Sequence, residues 1–251
     1  MTSVVRRPIA AANWKMNLLR RDAEFYCATL RERLAAQQEA EVVIFPSFPL
    51  VPFVAQGLAG SVIACGGQDL HPEASGAHTG DVSGPQLRDA GCSWVLCGHS
   101  ERRRDHGESY ELVGRKAQAA RQHGLMPLIC IGETRDQRRA GRTFEVLRWK
   151  LAAAVGDAPS DFEIAYEPVG TSDRATPEIA QEAHAFLRRE LARLVGDERA
   201  AAIRILYGGS VNPDNAVDLI AKEDIDGFVV GSASCDCEKF LAVIAACVAP
   251  G

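Results

Sequence analysis

The chain has 251 residues, 47% of them apolar, eight cysteines and a net charge of −5. Those figures suffice for a large core or one α/β barrel, and they exclude the strongly basic field that a nucleic-acid partner needs. No stretch reaches the ~18–20 apolar residues of a membrane span, the N-terminus lacks a signal peptide's apolar core, and scattered thiols fit a reduced, cytoplasmic compartment.

Along the chain one unit recurs: a short apolar run, a loop marked by Gly or Pro, then an Ala/Leu/Arg stretch of helical spacing. The apolar runs are "PIAAANW" (8–14), "EVVIFP" (41–46), "SVIACGGQD" (61–69), "SWVLCGH" (93–99), "MPLICIG" (126–132), "FEIAYEP" (162–168), "IRILYGG" (203–209) and "GFVVGS" (227–232). They are nearly continuous in apolar residues, as parallel strands covered on both faces must be. Between them, the spacing predicts a helix in "DAEFYCATLRERL" with Phe25, Ala28, Thr29 and Leu34 inward. A second, "TPEIAQEAHAFLRRELARLV", has Ile179, Ala183, Phe186, Leu187, Leu191 and Leu194 inward, with Thr176 as N-cap and Pro177 in first position.

Eight such units predict an α/β fold, a (β/α)8 barrel of eight parallel strands forming one domain over residues 1–251. A doubly wound open sheet is the alternative; no G-x-G-x-x-G follows the first run to support it. The arginine-rich stretches 101–108 and 135–142 are mixed with acids and read as solvated faces. Cys235 and Cys237 form a C-x-C with no second Cys/His pair near it, a weak zinc signal.

In a barrel the C-terminal strand ends share one mouth. Read together, they deliver Asn13 and Lys15 from the first strand, His99 and Glu101 from the fourth, and Glu167 from the sixth. "YGGS" (207–210) and "GS" (231–232) follow the last two. Each has a bland reading: a structural histidine, a carboxylate paired with an arginine, an exposed lysine, ordinary turns. Jointly they place a base, an electrophile, a cation and a glycine-rich anion cradle on one rim. Glu167 can take a proton from carbon next to a carbonyl, His99 can polarise that carbonyl, and Lys15 can balance negative charge on oxygen. That set suits an enediolate on a phosphorylated carbonyl compound, with neither metal nor redox cofactor.

"ANWKMN", "GAHTGDVSG", "CGHSERR", "CIGET", "AYEPV", "YGGSV" and "DGFVVGSAS" resemble the triosephosphate isomerase family in order and spacing, from Pro8 to about Val248. The resemblance implies that Asn13 and Lys15 bind substrate, His99 is the electrophile, Glu167 the base, and Glu101 the lysine's partner. Ser210 with the backbone of Gly231 and Ser232 would hold a small sugar's phosphate. No cofactor is implied. Residues 71–80 resemble the family's dimer loop, with Thr79 reaching a partner's site in a homodimer; without the resemblance this is a surface loop.

Three departures stand out. The family reads V-W-A-I-G-T-G after the base, whereas Val169 here leads straight into "GTSDRA", about three residues shorter, with Gly170 the best match to the lid glycine. Glu133 would thereby lose a tryptophan partner. Ser232 replaces a second glycine, and Asp69 replaces an asparagine, a local change expected near the dimer interface. The shorter lid raises the alternative of a larger substrate such as a tetrulose phosphate. A non-catalytic sugar-phosphate-binding barrel is the other alternative, but no acid, base or lysine is missing.

Overall fold

A computed structural model describes residues 6–35, 39–156, 161–168 and 176–248. The strands are β1 (Ile9–Asn13), β2 (Glu41–Phe45), β3 (Ile63–Gly67), β4 (Trp94–Cys97), β5 (Met126–Ile131), β6 (Glu163–Tyr166), β7 (Ile205–Tyr207) and β8 (Gly227–Val230). Each pairs in parallel with its sequence neighbours, and β8 returns to β1 to close the barrel. Each of the eight apolar runs therefore became a strand. The described helices are α1 (Arg20–Arg33), α2 (Val51–Leu58), α3 (Gly84–Asp89), α4 (Ser100–His106), α5 (Tyr110–Gln122) and α6 (Arg135–Arg139). They continue with α7 (Thr143–Val155), α8 (Pro177–Val195), α9 (Asp197–Ala202), α10 (Pro213–Ile220) and α11 (Cys237–Val248).

Strand alternation splits the core in two. Ile9, Ala11, Val43, Phe45, Trp94, Leu96, Leu128, Cys130, Ala165, Leu206 and Val229 fill the barrel interior. Ala10, Ala12, Val42, Ile44, Val95 and Ile129 belong to the larger apolar layer that also contains the helices' buried faces. Closure at the β1–β8 seam depends on Gly227, whose φ is +134° and whose missing Cβ would stand 2.0 Å from the Ile9 carbonyl oxygen. The N-terminal end is plugged by charge. Arg204 lies 2.8 Å from Glu163 and 2.7 Å from Glu41.

Two helix faces differ from the periodic reading. In α1 the buried residues are Ala23, Tyr26, Cys27 and Leu30. Leu34 packs inward as expected, but Phe25 and Ala28 are exposed and Thr29 is half-buried, with Arg20 of the same helix over the Phe53 ring. A tyrosine and a cysteine outweigh a phenylalanine here, because the Tyr26 hydroxyl finds the Ser234 carbonyl at 2.7 Å inside the core. In α8 the inward set is Ala180, Ala183, His184, Phe186, Leu187, Glu190 and Leu191, while Ile179 and Leu194 lie at the helix margins, about two-fifths exposed. Thr176 does cap α8, accepting from the Ile179 amide, with Pro177 first.

Asp69 does more than alter a contact near a loop. It is buried, with Lys116 Nζ at 2.6 Å and Arg102 at 2.9 Å. Both cations also hold Glu108, at 2.6 and 2.8 Å. The four side chains tie the exit of β3 to α4 and α5. Burial pushes the Asp69 carboxyl up despite its two cations; Glu108, also pushed up by burial, is held low on balance by Lys116 and Arg102.

His184 is fully buried against Tyr166 and Tyr207, with Nδ1 3.1 Å from the Asp224 carbonyl. Burial lowers its pKa to about 4. The unfolded chain therefore binds this proton first as pH falls, and stability present above pH ~6.5 drains away towards pH 4. The loss from this group is about 3 kcal/mol. A His184→Gln variant should show a flatter decline of chemical-denaturation midpoint between pH 6.5 and 4 than the unsubstituted protein.

Candidate active site

All eight strands run out at one rim, around a cavity of about 1000 Å³. Asn13, Lys15, His99, Glu101, Glu167, Ser210, Gly231 and Ser232 line it together. Gly170 falls within residues 169–175, outside the described residues. Thr79 stands apart on the exposed 71–80 loop.

Lys15 enters the cavity from a strained turn. Its φ is +53°, a left-handed value that costs a non-glycine residue ~1–3 kcal/mol. Side chains hold the turn: Asn13 Oδ1 accepts from the Lys15 amide at 3.0 Å, and Gln68 Nε2 donates to the Lys15 carbonyl at 2.8 Å. The same Gln68 nitrogen donates to Phe45 O at 2.9 Å, so one side chain secures the ends of two strands. Lys15 Nζ then meets Glu101 Oε1 at 2.7 Å. Burial raises the Glu101 carboxyl, but the Lys15 hydrogen bond with the charges of His99, Lys15 and Arg104 outweighs it and holds the group below its usual range.

His99 caps α4. Its Nδ1 accepts from the Glu101 amide at 3.2 Å, which puts the neutral ring's proton on Nε2. Nε2 points at Glu167 Oε1, 3.3 Å away, and the other Glu167 oxygen accepts from the Ser100 amide at 3.1 Å. Glu167 is only 4% exposed. Its backbone N–H donates to Ile131 O at 2.8 Å. The Cys130 thiol lies against its carboxylate, and burial with that negative charge pushes the thiol well up.

On the far side of the cavity is the cradle. Gly208, Gly209 and Ser210 follow β7, and Asn215 Nδ2 pins the Ser210 carbonyl at 2.8 Å. Ser232 opens a short 3₁₀ turn, Ser232–Cys235, whose first N–H groups have no acceptor within the turn. The Ser234 hydroxyl braces it, reaching Val230 O at 2.9 Å and Gly231 O at 2.7 Å. Backbone donors of this kind, beside Lys15, suit an anion.

Several supporting residues carry no signal in spacing alone. Gln68 and Cys130 are two; Arg103 is a third, turning back from α4 onto the carbonyls of Gly98 and Cys130. Only a resemblance across "CGHSERR" could have flagged the arginine. Glu133, expected to lose a tryptophan partner, is held by two other groups: Arg138 Nε at 2.7 Å and the Tyr166 hydroxyl at 3.1 Å. Outside the site, His71 and His78 stack at 3.8 Å near Asp81. His71 Nδ1 accepts from the Glu73 amide, so the neutral ring keeps its proton on Nε2 towards Asp81 and offers a metal no lone pair there. No helix among the described residues is long and apolar enough to cross a membrane.

Comparison with known proteins points to one family. The family profile described as Triosephosphate isomerase matches residues 8–247. The triosephosphate isomerase of Granulibacter bethesdensis is 46% identical, over 94% of this chain and 98% of its own. That of Chloroflexus aurantiacus is 44% identical, over 96% and 99%. The crystal structure of the Bartonella henselae triosephosphate isomerase superimposes with a TM-score of 0.89 at 36% identity, covering 96% of this chain and 98% of that one.

The cradle and Lys15 should bind inorganic phosphate on their own. Charge-assisted hydrogen bonds contribute ~1.5–3 kcal/mol each, so Lys15→Met should weaken phosphate binding by roughly ten- to a hundredfold in calorimetric titration.

Proposed function

Because the chain belongs to the triosephosphate isomerase family, its reaction is the interconversion of dihydroxyacetone phosphate and D-glyceraldehyde 3-phosphate, and we propose that Glu167, His99 and Lys15 carry it through an enediolate. The observation that carries this reading is the 3.3 Å approach of His99 Nε2 to Glu167 Oε1, with Nδ1 already engaged as an acceptor. An N–H donor and a carboxylate thus face one point of the cavity.

The substrate phosphate sits on the Ser210, Gly231 and Ser232 cradle, and Asn13 and Lys15 orient the remainder. Glu167 leaves the Ser100 amide and removes a proton from the carbon beside the carbonyl. Its C–H electron pair becomes the enediolate double bond, and the carbonyl pair moves onto oxygen. His99 Nε2–H donates there, and a proton passes between the two oxygens by way of the ring. Glu167 then returns its proton to the neighbouring carbon. Lys15 offsets the developing negative charge, with Glu101 holding its ammonium group in place.

Thr79 belongs to a homodimer contact in this reading. Its loop is shaped by His71 N–Val82 O at 2.8 Å and Asp81 N–His78 O at 3.0 Å, while Glu73 to Gly80 are exposed. A reduced cytoplasmic setting suits the eight free thiols. The connection after Pro168 has only seven residues, 169–175, before Thr176. A lid of that length excludes water less completely and lets more enediolate lose phosphate.

Purified protein should therefore isomerise glyceraldehyde 3-phosphate and leave a tetrulose phosphate unchanged, with Glu167→Gln slower by about a thousandfold. Methylglyoxal per turnover should exceed that of the Granulibacter bethesdensis enzyme; equal yields would remove the lid argument. In sedimentation, Thr79→Arg should shift the unsubstituted dimer towards monomer and lower kcat with it. A monomeric unsubstituted protein would remove the dimer.

A further inference from the structure

Lys150 takes no part in the mechanism above, yet it is a buried ammonium group aimed at the rim. It lies on α7, outside the barrel, and is 7% exposed. Its Nζ donates to the Gly132 carbonyl at 2.7 Å. Gly132 follows the last residue of β5, where the strand ladder no longer supplies a donor. A buried carbonyl at that place needs a partner from elsewhere.

What Gly132 touches gives the bond its significance. A Cβ added there would stand 1.7 Å from the Glu167 carbonyl oxygen and 3.2 Å from its Cα. The two backbones are in direct contact, and the preceding residue, Ile131, accepts the Glu167 amide. A displacement of the Gly132 peptide therefore moves Glu167 as well. The Tyr110 ring lies beneath, with Lys150 Nζ 5.1 Å and the Arg103 guanidinium 4.9 Å from its centroid. The Tyr110 hydroxyl, buried and short of a well-formed hydrogen bond, faces the Gly132 backbone. Arg103 makes the companion link, from α4 to Gly98 O just before His99 and to Cys130 O at 3.1 Å.

We propose that Lys150 is a positioning residue for the reaction: by clasping the Gly132 carbonyl it sets where Glu167 stands relative to His99. The inference rests on Glu167 being the base. Misplacement of a reacting group by about 1 Å can cost a hundredfold in rate, so a buried clasp one contact away from the base has a kinetic effect.

The clasp is also sensitive to pH. Burial, with the like charge of Arg103 and against the opposite charge of Glu133, lowers the Lys150 pKa to about 8. The other groups around it are Tyr110 on α5 and, beyond it, Glu167; on α8, Glu190 is taken up by Arg148 and Arg193. Above that pH the neutral amine keeps a hydrogen bond to Gly132 but loses its charge assistance.

The test is kcat and KM from pH 6 to 10 for the unsubstituted protein, Lys150→Arg and Lys150→Met, each also made in a Glu167→Gln background. Lys150→Met should lower kcat by about tenfold or more with KM within about twofold. Lys150→Arg should restore most of the rate and abolish an alkaline decline centred near pH 8. In the Glu167→Gln background, Lys150→Met should add little further loss, because its effect passes through that carboxylate. Unchanged kcat in Lys150→Met, or a full additional loss in the double variant, would overturn the proposal. So would an alkaline decline that survives in Lys150→Arg. Should Lys150→Met fail to fold, the arginine variant's pH profile decides alone. Full activity in Glu167→Gln itself would instead remove the base assignment, a result separate from any Lys150 effect.

Discussion

Every strand of a closed parallel barrel ends at the same rim, and its last peptide groups must there find partners that the ladder no longer supplies. Much of the site follows from that constraint. Gln68 serves the carbonyls of Phe45 and Lys15, Arg103 those of Gly98 and Cys130, and Lys150 that of Gly132. Each of these donors lies beside a residue that faces the cavity. Satisfying the backbone and placing the cavity residues are therefore one task.

Charge is arranged with the same economy. Nδ1 of His99 accepts from a helix amide, which orients the neutral ring's proton towards Glu167. Glu101 neutralises Lys15 at 2.7 Å without leaving the rim. Overt strain lies in the left-handed turn at Lys15, with Leu18 also left-handed three residues on, and side chains of Asn13 and Gln68 hold Lys15. Strain placed where three strand ends converge cannot relax by a local shift, because each neighbour is itself tied.

The barrel was legible because its signal is simple. A strand covered on both faces must be apolar throughout, so eight such runs separated by helical stretches define the architecture. The residues of the strand tips were legible for the same reason, since topology alone brings Asn13, His99 and Glu167 together. Helix faces were harder to read. Phe25 lies outside although Tyr26 lies inside, a choice made by one hydroxyl's access to the Ser234 carbonyl, which spacing cannot encode. Nor could a sequence reveal that Lys150 turns into the barrel wall or that Asp69 closes a four-membered ionic cluster, because an isolated charged residue reads as solvated. The dimer loop and the lid rest on resemblance, a warrant of a different kind from geometry.

The ion pairs of Arg204 with Glu163 and Glu41 lie at the opposite end from all of this. They close the barrel floor with groups at the strand starts that do not line the cavity. A change at the rim leaves that closure intact, and a change in the floor leaves the rim geometry in the hands of its own clasps. Two ends with separate anchors make the scaffold evolvable: loops and tips can be exchanged for other chemistries while heritable foldedness stays lodged in the floor.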